Sequence, residues 1–233
     1  KPMIVVLIAG KPLAMPWVKE NADAVLVQWY AGEQQGRTLA DILLGKVNPS
    51  GKLNVSFPRS TGNTPCFYNH FVTDREEPFD QPGTPEEPKG HYIFDKPEPL
   101  WNFGHGKSYT TFDYVDCALS DTLLAASDTL KVSVMIKNTG RCDGKEVVQL
   151  YVRDKVSTVA TPIQQLKAFQ KVLVKSGESQ CVELSLPIAE LALYNAKMEE
   201  VVEPGDFEIQ IGAASDDIRL SLIHISEPTR LAL

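Results

Sequence analysis

The chain has 233 residues, of which 43% are apolar, and its 23 basic residues face 30 acidic ones for a net charge of −7. That is enough apolar mass for one large domain or two smaller ones, and an acidic chain with scattered lysines and arginines excludes nucleic acid as a partner. The longest apolar runs, such as Met3–Ala9, fall far short of a helical bilayer span, so no membrane partner is expected.

The chain opens abruptly. Lys1-Pro2 leads straight into MIVVLIA, without a charged and apolar leader, so the sequence is expected to start inside a longer protein and its first residues say nothing about compartment. Met3–Ala9 is a continuous Val/Ile-rich run and predicts a strand buried on both faces. Pro12 and Pro16 break the chain after this strand, leaving a helical turn at Trp17–Glu20, and Ala24–Trp29 predicts a second buried strand. Gly32 opens a turn into a helix from Gln34 to Leu44, whose Leu39, Ile42 and Leu43 form one apolar stripe. Gly45 stands where a left-handed cap is wanted, and Asn48-Pro49-Ser50-Gly51 predicts a type I turn. Leu53, Val55 and Phe57 alternate as a third strand. Strand, helix, strand in this order predicts a parallel or mixed sheet covered by helices over residues 1–58.

Residues 59–112 change character. Pro58, Pro65, Pro78, Pro82, Pro85, Pro88, Pro97 and Pro99 break any periodicity, which predicts a long irregular connection. Phe67, Tyr68, Phe71, Phe79, Tyr92 and Phe94 predict that it is packed rather than a free tether.

From Asp113 the period becomes two. Val132, Val134 and Ile136 alternate with Lys131, Ser133 and Lys137. Val148–Val152, Leu166–Val174, Cys181–Leu186 and Phe207–Ile211 come next, separated by Gly140–Gly144, Ser176-Gly177 and Pro204-Gly205. Short strands at regular spacing predict an antiparallel, immunoglobulin-like or fibronectin-type β-sandwich over residues 113–219. The run LSLIHISEPTR, Leu220–Arg230, matches the translation of a transposon-end sequencing adapter. Residues 220–233 are therefore read as a non-native tail on a metagenome-derived reading frame, although Ile218, Leu220 and Leu222 continue the alternation and could extend the last strand.

Few residues invite chemistry. Cys66, Cys117, Cys142 and Cys181 are widely spaced, as are His70, His91, His105 and His224, so neither a disulfide scaffold nor a metal site is expected. Glu33 follows a glycine turn at the carboxyl end of a predicted strand, the edge where open α/β sheets bind ligands. Its simpler role is to complement a helix dipole, since glycoside cleavage needs a second carboxyl group and Asp41 lies within the helix. Gly32-Glu33-Gln34-Gln35-Gly36 lacks the lysine and spacing of a phosphate loop, and its glycines are expected to serve a tight turn and close helix–sheet packing. Trp101, Phe103, Tyr109 and Phe112 could stack on sugar rings or clamp a domain boundary, the second being preferred. The acceptor triplet Asn54-Val55-Ser56 carries no weight inside a predicted strand.

Several blocks, in this order, carry a resemblance: KPMIVVLIAGKP, AGEQQGRTLADILLGKVNPSGKLNVSFPRS, PCFYNH, WNFGHGKSYTTFDY, NTGRCDGKEVVQLYVRD, LKAFQKVLVKSGES and VVEPGDFEIQIGAAS. Together they resemble the C-terminal part of family-3 glycoside hydrolases, of the bacterial periplasmic β-glucosidase type. Asn102 and Lys107 depart from the proline and leucine common there. The resemblance implies the second half of an α/β-sandwich domain joined to a fibronectin type III-like domain. It implies a parent that is a retaining, exo-acting β-glycosidase, β-glucosidase first and β-xylosidase next, acting without a cofactor on a β-linked oligosaccharide or glycoside in the periplasm or outside the cell. The family's nucleophile and general acid/base would both lie upstream of Lys1, so no catalytic, cofactor-binding or metal-binding residue is assigned, and the chain alone is expected to be inactive. The alternative is a non-catalytic carbohydrate-binding or adhesion module.

Overall fold

The computed structural model describes residues 1–71, 84–86, 96 and 98–226, positions 223–226 by backbone alone. Phe79, His91, Tyr92, Phe94, Pro78, Pro82, Pro88, Pro97 and residues 227–233 lie outside the described residues. Two compact units are present. The first contains Lys1–Asn48, Leu53–Tyr68 and residues up to His105, and the second contains Pro49–Lys52, residues 69–71 and the chain from Gly106.

In the first unit β1 (Ile4–Leu7), α1 (Pro16–Asn21), β2 (Ala24–Val27) and α2 (Gln35–Leu43) succeed one another. β1 and β2 run parallel, Ile4 opposite Ala24 through Leu7 opposite Val27. The Gln28 N–H extends the pairing to Leu7 O at 2.9 Å. The strands are shorter and less buried than their apolar runs predict. Among the described residues each has only the other as a strand neighbour, and Ile4 is 52% exposed. Pro16 opens α1 at a position where its missing N–H is no loss. In α2, Leu39 and Ile42 are half-buried while Leu43 is exposed, so the stripe is narrower than its spacing suggests. Gly45 ends α2 at φ 71°. Its N–H reaches Ile42 O at 2.9 Å and that of Lys46 reaches Asp41 O at 2.8 Å, the paired bonds of a Schellman cap.

Two expectations are corrected by the structure. Residues 48–51 form no turn, and Leu53–Phe57 is not a strand beside β2. Its hydrogen bonds go to a remote segment instead: Leu53 N–H to His105 O at 2.8 Å, Gly104 N–H to Leu53 O at 2.7 Å and Phe57 N–H to Trp101 O at 2.8 Å. Asn54 and Val55 bend between these anchor points. The alternation records the burial of Phe57, which is fully enclosed, not membership of the parallel sheet.

The second unit is a β-sandwich. Its strands are β3 (Phe112–Leu119), β4 (Leu123–Leu124), β5 (Thr129–Asn138), β6 (Gly144–Asp154), β7 (Gln165–Val174), β8 (Ser179–Pro187), β9 (Leu193–Tyr194), β10 (Glu200–Val201), β11 (Gly205–Ala214) and β12 (Asp217–Ser226). β3-β5-β8 make one sheet and β4-β12-β11-β6-β7 the other, while β9 and β10 form a separate antiparallel pair. Leu130, Val132, Val134 and Ile136 of β5 face Val148, Leu150 and Val152 of β6 and Ile209 and Ile211 of β11 across a continuous core. Asp116 at φ 51° makes a bulge in β3, where the register to β5 shifts between Val115 and Cys117. β12 runs on through Leu220–Ser226, paired with β11 from Ile211 to Gly205.

Candidate functional site

The carboxyl ends of β1 and β2 form the edge at which an α/β sheet would hold a ligand. β2 gives way to Gln28, whose Nε2 donates to Gln35 O at 2.6 Å and ties the strand end to the first turn of α2. Trp29 adopts φ 52°, a left-handed conformation uncommon for a bulky residue. Its ring packs inward on Phe57, with centroids 5.9 Å apart. Tyr30 is 75% exposed and lies against Gly10, where an added Cβ would come within 2.7 Å of its ring.

Glu33 stands two residues before α2, exposed, after Gly32 at φ 76°. The neighbouring acids in the sequence are engaged elsewhere. Asp23 accepts the Met3 N–H at 2.7 Å, at the opposite edge of the strand pair. Asp41 lies further along α2, 4.0 Å from Arg37 and 3.7 Å from Lys46. Retaining glycosidases hold their two carboxyl groups about 5 Å apart. This edge therefore places Glu33 where a helix dipole favours an acid, without bringing either neighbour to it. Gly32 serves the tight turn. Close packing does not explain Gly36, because a Cβ there would meet nothing within 4 Å.

The aromatic block separates. Trp101 meets Phe57 edge-on at 5.8 Å, with the Lys19 ammonium 5.7 Å from its ring centroid. Phe103 stacks on Tyr68 at 4.2 Å. Phe112 packs against the sandwich core, and Tyr109 is 52% exposed. Phe67 and Phe71 of the connection are also exposed. The strand that would disfavour Asn54 as a glycosylation acceptor is absent. Asn54 sits exposed in a bend, so that objection falls. Among the described residues no cluster of three or more His, Cys, Asp or Glu could hold a metal ion, and none of the four cysteines is in a disulfide.

The sandwich holds a polar cluster that the sequence did not announce. Lys52 Nζ lies 3.1 Å from Glu146 Oε1 and donates to Gly106 O at 2.9 Å. The Lys52 and Glu146 side chains are only 13% and 6% exposed. The Tyr114 hydroxyl donates to the same Glu146 oxygen at 3.1 Å. Burial first, then the Glu146 charge, pushes the Tyr114 hydroxyl far above its ordinary value. Glu146 precedes Val148, Leu150 and Val152 at the same alternation on β6, so an acid on an apolar face was the available signal. With its oxygen already bonded by an ammonium and a phenol, the cluster is a structural ion pair, not an acid or base open to a ligand.

A small cleft in the sandwich, about 50 Å³, is lined by Asp154, Thr161, Gln165, Lys167, Leu191 and Phe207 among others. Pockets for organic ligands run from roughly 300 Å³ upward, so this one suits water rather than a sugar ring. Burial raises the Asp154 carboxyl and lowers the Lys167 ammonium from their usual values.

Residues 1–109 match the glycosyl hydrolase family 3 C-terminal domain, and residues 146–215 match a fibronectin type III-like domain. The first 109 residues therefore carry the C-terminal domain of glycosyl hydrolase family 3. It is 42% identical over 221 residues to a beta-xylosidase of Formosa agariphila, covering 94% of this chain and 29% of the relative. It is 39% identical over 222 residues to a periplasmic beta-glucosidase of Salmonella typhimurium, covering 94% and 28%. The solved beta-glucosidase of Listeria innocua in complex with glucose superposes with a TM-score of 0.90 at 36% identity, over 99% of this chain and 32% of that one. The chain thus spans under a third of the length of these relatives. Its two units form a scaffold that corresponds to the C-terminal part of these relatives.

Proposed function

We propose that this scaffold serves a retaining, exo-acting β-glycosidase, with a β-glucoside as the first expected substrate and a β-xyloside as the next. The parent would act on β-linked oligosaccharides or glycosides through a covalent glycosyl-enzyme intermediate, which needs two carboxyl groups and no cofactor. Similarity to the Salmonella periplasmic enzyme supports a periplasmic or secreted location. The observation that carries the reading is the pairing of the family's C-terminal domain with a Glu33 edge that its neighbouring acids, Asp23 and Asp41, do not join. The 233-residue chain is expected to be inactive by itself. Purified, it should leave aryl β-glucoside and aryl β-xyloside intact, whereas the longer reading frame containing it should cleave one of them. Turnover by the short chain, abolished by Glu33→Gln, would overturn the scaffold reading. Cleavage of neither substrate by the long form would overturn the proposed substrate class.

A further inference from the structure

We propose that the outer face of the sandwich along β7 is a binding strip for an acidic polysaccharide, one that carries uronate carboxylates along its chain. Ala168, Val172 and Val174 of β7 turn inward to the core. Phe169, Lys171 and Leu173 take the alternate positions and turn outward. Phe169 is 67% and Leu173 55% exposed, and Lys171 between them is exposed as well. On β6 the exposed Lys145 stands opposite Leu173, and Val147 stands opposite Lys171. Lys145 and Lys171 are therefore diagonal neighbours on one face, with side chains about 7–8 Å apart at their bases. Lys175 continues the row just past the strand end.

In a chain of net charge −7 this row is locally basic. Among the described residues neither Lys145 nor Lys171 forms an ion pair, and Lys171 makes one long bond, 3.4 Å, to the Ser50 hydroxyl. Lys175 lies 3.9 Å from Glu178, but both side chains are exposed, so water and salt screen the contact. Asp143 is committed to the Ser176 N–H at 2.9 Å. Two like charges held side by side repel, and a carboxylate between them relieves the repulsion. Phe169 and Leu173 flank Lys171 over about 14 Å of extended strand. Apolar and cationic side chains thus alternate along a line, which matches a polymer whose sugar rings present C–H faces between carboxylates. Among the described residues β7 pairs only with β6, and lysines on such an edge oppose the addition of a peptide strand. An anionic bilayer would meet the acidic remainder of the surface. A single saccharide chain needs neither backbone pairing nor a broad contact. Binding here requires no catalytic step, so it is independent of whether the longer reading frame cleaves a β-glucoside or a β-xyloside.

Fluorescence anisotropy of labelled oligogalacturonate, titrated with the full 233-residue chain, tests this. Binding should be present at about 10 mM salt, where charges act over about 30 Å, and should weaken steeply toward about 0.15 M. Labelled neutral cello-oligosaccharide should not bind under the same conditions. The double variant Lys145→Gln/Lys171→Gln should weaken binding by at least about tenfold and flatten its salt dependence. Phe169→Ser should weaken it by about threefold or more and leave the salt dependence unchanged. Lys131→Gln, at an exposed lysine of β5 in the other sheet, should have no effect. All the replaced side chains are exposed, so thermal midpoints should stay at the wild-type value. Absence of binding at low salt would overturn the proposal, as would an equal loss in Lys131→Gln or unchanged affinity in Phe169→Ser. Equally tight binding of poly-glutamate or of phosphatidylglycerol vesicles would overturn it too.

Discussion

Asn138 Nδ2 donates to the carbonyl oxygen of Val174 at 2.9 Å, so a side chain from β5 closes the end of β7 in the opposite sheet. The same nitrogen donates to Cys142 O at 2.9 Å, while Oδ1 accepts from the Thr110 hydroxyl at 2.6 Å and the Gly140 N–H at 3.1 Å. Asn138 is fully enclosed, and its partners Thr110 and Val174 are buried with it. Asn138→Ala should cost about 2–4 kcal/mol, because it strands several buried groups rather than removing one bond. Urea unfolding should show a lower midpoint at an unchanged slope.

Two glycines should respond to alanine with opposite sign. At Gly106 a Cβ would collide with Gly51 O at 2.3 Å and Lys52 Cα at 3.2 Å, both backbone atoms that cannot swing aside. Gly106→Ala is expected to destabilise by roughly 2 kcal/mol or more. At Gly36, inside α2, the Cβ meets nothing within 4 Å. Gly36→Ala should stabilise by about 0.5–1 kcal/mol through helix propensity and a less free unfolded chain. Thermal midpoints of the two variants, measured side by side, check both signs.

Glu208 gives the sandwich an acid-sensitive tie. Hydrogen bonds from Ser221 at 2.7 Å and Gln210 at 3.1 Å, then Lys155 at 3.0 Å, hold its carboxyl down to about 2. A carboxyl depressed in the folded state contributes stability above its ordinary value near 4.5 and loses it as pH falls toward 2. The wild-type urea midpoint should therefore decline between those pH values. Glu208→Gln should be less stable at pH 7 and show a flatter decline across the same window.

Ending the chain at Arg219 should weaken the sandwich. The cut removes Leu220–Ser226, which pair with β11, together with the Leu220 contact to the core and the Ser221 bond to Glu208. β11 would keep β6 on one side and gain an open edge on the other. A loss of at least ~3 kcal/mol is expected from the lost apolar burial and strand bonds, with aggregation through the new edge. Calorimetry and light scattering of chains ending at 219 and at 226 would compare them directly.

The sandwich was legible because its signal is local and repeats. Leu130, Val132, Val134 and Ile136 face inward at every second position, and Gly177 sits at positive φ in the turn between β7 and β8. The α/β unit was legible only in part. Leu53, Val55 and Phe57 alternate as a strand would, but their partners lie at 101–105, a distance over which spacing carries no information. The same distance hid the Lys52–Glu146 pair. Glu146 could be placed on the inner face of β6 by counting, whereas nothing near Lys52 named its partner. At Glu33 the residue and its edge were readable, and the engagement of Asp23 with Met3 and of Asp41 with its helix neighbours required the coordinates.

Position 29 is held by two demands that pull toward different amino acids. Its backbone, at φ 52°, suits glycine or asparagine, while the space beside Phe57 asks for a large ring. A complete substitution library at this site should therefore rank neither by hydrophobicity nor by turn preference. The selection coefficient of each replacement would measure how far one requirement outweighs the other, making this residue a natural gauge of compromise between chain geometry and packing.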